Sequence, residues 1–147
     1  MAKFKKELIL IPIFLVLSVA VWQAWKSFSF SGSVSITTEK SEYKKGVSII
    51  VKIANETNRN ICFSSCYPYY LEKKNGQWKS YLYDNCPRLD LTGNCIRPKG
   101  EKLFQIEDLS YAKEGLHRLA IPVCLGCNLV ENFKESKRFY SNEFLIK

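Results

Sequence analysis

The stretch VSIIVKIAN, Val47 to Asn55, decides how the rest of the chain is read. Val47, Ile49, Val51 and Ile53 recur at every second position, with Ser48, Ile50 and Lys52 between them. A period of two puts alternate residues on opposite faces of an extended strand, whereas a helix needs apolar steps of three and four. The preceding TEKSEYKKG, Thr38 to Gly46, is a polar turn. Upstream of it, Val34 and Ile36 alternate with Ser35 and Thr37. Two half-buried antiparallel strands follow from this pattern.

The same reading extends toward the C-terminus. ETNRN (56–60) closes the strand as a loop, and ICF (61–63) begins the next. YYLEKKNGQWKSYLY, Tyr69 to Tyr83, has two aromatic-rich runs around Asn75-Gly76, a pair that supplies the positive φ angles of a tight hairpin turn. From Asp84 to Gly100 no period is sustained, and Pro87, Gly93, Pro98 and Gly100 punctuate a long loop. LFQI (103–106) reads as a strand, and Gly115 leads into LHRLAIPV with His117, Leu119 and Ile121 on one face. VENFKESKR (130–138) is polar and helix-tolerant, and FYSNEFLIK (139–147) is the last strand. About seven or eight short strands with frequent turns predict an all-β fold of the sandwich type.

The N-terminus sets the expected location. Lys3, Lys5 and Lys6 stand before an apolar run, Leu8 to Trp25, that is broken only by Ser18 and Gln23. Its length sits at the lower edge of the ~17–25 residues that span a bilayer as a helix. Trp22 and Trp25 at its far end suit the membrane interface, and lysines before it suit a cytoplasmic start. The run reads either as a retained signal anchor or as a signal peptide cut after Ser18-Val19-Ala20. Cleavage would leave the apolar VWQAW as the new terminus, so the retained anchor is preferred. The expected organisation is a basic cytoplasmic tail (1–7), a transmembrane helix (8–26), a linker (27–33) and an extracytoplasmic β-domain (34–147). Both readings place that domain beyond the membrane, with the lipid bilayer as a partner of residues 8–26. The formal charge of +8 is spread along the chain with no long basic run. With this topology, a nucleic-acid partner is not expected.

The chemistry rests on six cysteines, Cys62, Cys66, Cys86, Cys95, Cys124 and Cys127. In an oxidising compartment they read as a disulfide framework. CLGC, Cys124 to Cys127, has no βαβ setting of the thioredoxin kind. A zinc site using Cys62, Cys66, Cys124 and Cys127 has suitable spacing but needs four free thiols on the oxidising side. The only histidine, His117, is on an inward face, where packing is the simplest role. Asn55-Glu56-Thr57 matches a glycosylation acceptor, a short and common match. No nucleophile–base arrangement and no phosphate loop is visible, so no catalytic residue, cofactor or resident metal is expected, and the chain reads as a non-enzyme.

The order SITTEKSEYKKGVSIIVKIAN, ICFSSC, YLEKKNGQW, RPKGEKLFQI, GLHRLAI and YSNEFLI resembles bacterial immunoglobulin-like domains over roughly residues 33–147. The resemblance implies an immunoglobulin-like antiparallel β-sandwich with a binding or scaffolding role, and a position for His117 that often carries tyrosine. It also implies that the strand bearing Cys62 and the strand ending at Cys124 are antiparallel neighbours. On that basis Cys66 with Cys86 is the first expected bridge, with Cys66 to Cys95 as rival, and Cys62 with Cys124 or Cys127 comes next. CLGC is expected to be oxidised, either internally or with one cysteine bonded to Cys62. The functional expectation is a membrane-anchored module presenting disulfide-stabilised loops to an envelope or cell-surface protein or polymer. A secreted protease-inhibitor-like sandwich and a redox- or metal-handling ectodomain are the alternatives.

Overall fold

The strand with the clearest period in the sequence, β3 (Ile49–Asn55), is the middle of a three-stranded sheet. A computed structural model describes residues 32–64, 68–81, 94–107, 109–128 and 132–147. These belong to one compact unit, Gly32–Lys147. Antiparallel partners flank β3: β1 (Val34–Thr38), from Val34↔Asn55 to Thr38↔Val51, and β8 (Glu101–Ile106), from Ile49↔Ile106 to Ala54↔Glu101. Ile49, Val51 and Ile53 are fully buried and face inward with the buried Val34, Ile36 and Ile106, while the intervening residues face outward. Val47 departs from expectation. It precedes the strand, in a turn closed by its N–H donating to the Lys44 carbonyl (3.1 Å), and is exposed.

The larger sheet is built on β9 (Gly115–Leu125). One side of β9 pairs with β11 (Phe144–Ile146) and then β10 (Lys137–Tyr140), and the other with β5 (Tyr70–Asn75) and then β4 (Ile61–Cys62). β6 (Gln77–Tyr81) extends β5, β7 (Cys95–Ile96) extends β4, and β2 (Glu42–Tyr43) lies parallel to β11. His117, Leu119, Ile121 and Val123 point inward from β9, and all are buried. Leu119, Ile121 and Val123 share one hydrophobic core with Ile49, Val51 and Ile53 of the smaller sheet. Each such aliphatic side chain contributes about 1.5–3 kcal/mol. The fold is all-β in two sheets, with no helix among the described residues.

Proline is disfavoured inside a central strand because it donates no hydrogen bond to the ladder. Pro122 is accommodated by the way the partners of β9 change. Leu119 and Val123 bond to Ser141 and Ser136 on the β10 side, so Pro122 faces the other side. There β4 stops at Cys62, opposite Cys124, and β5 starts at Tyr70, opposite Ala120. The missing donor falls in the gap between them.

Several local expectations change. The hairpin pairs from Leu71↔Tyr81 down to Asn75↔Gln77, so Gly76 alone stands at the tip with φ 70°, and Asn75 does not share the positive φ. Part of the expected long loop is β7, too short to show a period. The helix-tolerant segment is not helical over residues 132–136 and enters β10 at Lys137. The last strand divides at Ser141–Glu143. There Ser141 bridges to Ile36, the Thr38 N–H donates to Asn142 Oδ1 (2.8 Å), and Asn142 Nδ2 donates back to Thr38 Oγ1 (2.8 Å). This pair fastens the smaller sheet to the larger one. The apolar run 8–26 lies outside the described residues, among which no helix is long and apolar enough to cross a membrane.

Candidate functional site

Because β9 alternates, the residues between its core positions form an outward set: Arg118, Ala120, Pro122 and Cys124. Each belongs to a row running across neighbouring strands. Ser80, Glu72 and Arg118 form one row; Tyr70, Ala120 and Tyr140 the next; then Arg138 with Pro122; and finally Cys95, Cys62 and Cys124. Trp78 and Lys74 oppose each other beside the first row. Chemistry-bearing side chains from distant parts of the sequence thus share one face.

Arg118 organises one half of this face. Its guanidinium carbon lies 4.3 Å from the Trp78 ring centroid and 3.9 Å from that of Tyr140. Its Nε–H donates to Glu72 Oε2 (2.8 Å), and Ser80 Oγ–H donates to Oε1 (2.9 Å), so both oxygens of this buried carboxylate are engaged. Nearby, Arg138 makes a two-point contact with Glu135 (2.9 Å each) and lies 4.9 Å from the Tyr70 ring. The Glu135 contact raises the Arg138 pKa above its already high value. Lys74 Nζ is 5.4 Å from the Trp78 ring. Cation–aromatic contacts contribute ~0.5–2 kcal/mol each, and here they hold planar groups in place on an accessible face. Tyr140 remains 46 % exposed.

The cysteines occupy the other half. Cys62 is bonded to Cys95 directly across β4–β7, with a Cα separation of 4.0 Å. Cys124 is bonded to Cys127, with a Cα separation of 5.7 Å. CLGC is therefore oxidised within itself, one of the two expected forms. The expected Cys62 bridge to Cys124 or Cys127 and the rival Cys66–Cys95 bridge are corrected, because Cys62 and Cys95 have each other. The neighbour relation behind the first of these is present all the same, since Cys62 stands opposite Cys124 in the β4–β9 register. Cys66 and Cys86 lie outside the described residues. Cys62 (0 % exposed) and Cys124 (4 %) pack with Cys95, Cys127 and Phe133 in a small apolar cluster separate from the main core.

His117 sits on the core side, between the rings of Tyr81 (6.5 Å) and Phe144 (6.2 Å). Its Nδ1–H donates to the Gly115 carbonyl (2.8 Å), which leaves Nε2 as a buried lone pair without a partner. Burial lowers its pKa, outweighing the opposing effect of that hydrogen bond. Asn55 is fully buried, and its Nδ2 donates to the carbonyls of Arg59 (2.8 Å), Ile96 (3.1 Å) and Arg97 (3.0 Å). Its Oδ1 accepts from Thr57 Oγ1–H (2.6 Å) and the Thr57 N–H (3.1 Å). The acceptor-like triplet is thus a loop lock, with its nitrogen already committed.

The aromatic–arginine stack escaped the sequence reading because Trp78, Arg118 and Tyr140 are far apart in the chain. One signal pointed to it: if His117, Leu119 and Ile121 face inward, Arg118 must lie on the outer face among whatever neighbours register brings there.

No family model matches the chain, and no curated protein matches it. A search of solved structures finds a likeness to Pseudomonas fluorescens alkylpurine DNA glycosylase AlkC bound to DNA containing an abasic site analog. Identity is 12 %, TM-score 0.38, and coverage 79 % of this chain, which spans only 31 % of that one. The expectation that the chain is a non-enzyme is withdrawn. The likeness is too distant to assign an activity to this chain.

Proposed function

We propose that the chain is a single-pass, membrane-anchored module whose residues 34–147 form an immunoglobulin-like sandwich outside the cytoplasm. It binds an envelope protein through the outer face of its larger sheet. The observation that carries this reading is the Arg118 guanidinium held between Trp78 and Tyr140 on an accessible sheet face. Arginine and rigid aromatics dominate the energetics of protein interfaces, since they offer large contact area and directional donors at small entropic cost. Lys74 and Arg138 at the borders of the stack are paired with Glu143 (3.7 Å) and Glu135 (2.9 Å), so a partner meets balanced charge beside flat aromatic groups. The lysines before Leu8 and the apolar run to Trp25 support the anchor. The two disulfides fit an oxidising compartment.

The test has two arms. Membranes from cells that make the protein are washed with alkaline carbonate, and the mature N-terminus is sequenced. Retention in the pellet with an N-terminus before Ala20 is expected, and an N-terminus at Val21 contradicts the anchor. In crosslinked membranes, Trp78→Ser combined with Tyr140→Ser should lower recovery of the co-purifying protein at least tenfold with an unchanged far-UV spectrum. Equal recovery contradicts the binding face.

A further inference from the structure

The cysteine row contains two alternative bridges for one residue. Directly opposed residues of an antiparallel pair have Cβ atoms about 4.5–5.5 Å apart, close enough to be crosslinked with little backbone movement. Cys62 has such a partner on each side, Cys95 on β7 and Cys124 on β9, and all three project from the same face. Cys62 bonds to the first, while Cys124 is capped by Cys127. Cys62 Sγ also lies 3.6 Å from the Cys127 carbonyl oxygen, so the capping segment rests against it.

We infer that these four cysteines form a thiol–disulfide exchange site, entered at Cys127 by a low-molecular-weight thiol and leading to a Cys62–Cys124 bridge. Exchange begins when a thiolate attacks one sulfur of a disulfide and expels the other. Cys62 and Cys124 are buried, whereas Cys127 is half-buried and thus the reachable end of its bridge. The external thiolate attacks Cys127 Sγ, forms a mixed disulfide there, and releases Cys124 as a thiolate. That thiolate is buried next to Cys62, where water does not stabilise it, which favours onward reaction over escape.

The row then supplies the geometry of the second step. Displacement at sulfur runs in line, with the attacking and leaving sulfurs on opposite sides of the one attacked. Cys124 and Cys95 flank Cys62 on opposite neighbouring strands, which is that arrangement. Cys124 bonds to Cys62, and Cys95 leaves as a thiolate that takes a proton from water. Two disulfides and one thiolate enter, and two disulfides and one thiolate leave, so no separate oxidant or reductant is consumed. The consequence is structural. The crosslink holding β7 to β4 is replaced by one holding β4 to β9.

The experiment uses the full-length oxidised protein and limiting reduced glutathione, with acid quenching, alkylation and peptide mapping by mass spectrometry. The expected products are a single glutathione on Cys127, a linked Cys62–Cys124 peptide pair and alkylated Cys95, all rising together. The inference is overturned if Cys62–Cys95 and Cys124–Cys127 stay the only linked pairs in this row at every extent of modification, or if no glutathione is incorporated. A Cys127→Ser variant checks the second step without added thiol. Its free thiol should appear at Cys95, with Cys62 linked to Cys124, and a free thiol found only at Cys124 counts against the inference. The wild-type mapping stands alone if that variant fails to fold. Because the readout is connectivity, it is independent of whether the sheet face binds a partner.

Discussion

Cys62 and Cys124 stand directly opposite each other on neighbouring antiparallel strands, yet each is bonded to a different cysteine. The two bridges enclose very different lengths of chain. Cys62–Cys95 spans 33 positions, and Cys124–Cys127 spans 3. In the chain-entropy model these closures correspond to about 3.7 and about 1.6 kcal/mol. Replacing Cys62 and Cys95 together by alanine should therefore cost roughly twice as much as replacing Cys124 and Cys127. Denaturant unfolding of the two double variants reads this directly, and equal losses would contradict it.

The second prediction concerns His117 and acid. Its ordinary pKa is 6.5, and burial lowers it in the folded state. The unfolded chain therefore takes up this proton first as pH falls, and protonation favours the unfolded state. The His117 contribution should be level above about pH 7 and decline as pH falls through 6.5 toward the lowered folded value. Since the chain has one histidine, His117→Phe should flatten that part of the stability–pH curve. A ring that titrates at or above 6.5 by NMR in the folded protein contradicts the account.

How much of this was legible in the sequence depended on distance along the chain. The period of two located Ile49, Val51 and Ile53 correctly, because strand alternation is local. The Asn75-Gly76 hairpin was located for the same reason, although its turn geometry differs. β7 was invisible, because two residues cannot display a period and Cys95–Ile96 becomes a strand only by pairing with Ile61 and Cys62. The break at Ser141 depends on Thr38, and the partner of Cys62 depends on register across three strands. Neither carries a local signal.

Asn142 gives a third prediction. Its amide exchanges two hydrogen bonds with Thr38 and joins elements more than a hundred residues apart. Asn142→Ala should cost about 1–3 kcal/mol, most of it from the part-buried Thr38 N–H left without its acceptor, since Thr38 Oγ1–H still donates to the Lys40 carbonyl (3.0 Å). Asn142→Asp keeps the acceptor for the Thr38 N–H but loses the donor, and should cost less. The ranking of the two variants in thermal unfolding is the check, and a reversed ranking would contradict the assigned hydrogen bonds.

The fourth concerns Glu72. Removing Arg118 leaves this carboxylate, with a side chain only 7 % exposed, without its cation. A fully buried pair broken in this way costs ~3–5 kcal/mol. Arg118 keeps 22 % exposure, so Arg118→Ala should cost less, about 2–3 kcal/mol. Arg118→Ala with Glu72→Gln should recover part of that loss. A strictly additive double-mutant cycle would show that the pair is not coupled.

The central claim, that the outer face of the larger sheet is the partner surface, is tested most directly by site-specific photo-crosslinking of the intact protein in its own membranes. A photoreactive amino acid is placed in turn at Tyr140 and at Trp78 on that face, and at Leu103, 63 % exposed on the smaller sheet, as the control. The account predicts one discrete protein adduct of the same mass from Tyr140 and Trp78, and none from Leu103. An adduct from Leu103 with none from Tyr140 or Trp78 would contradict it.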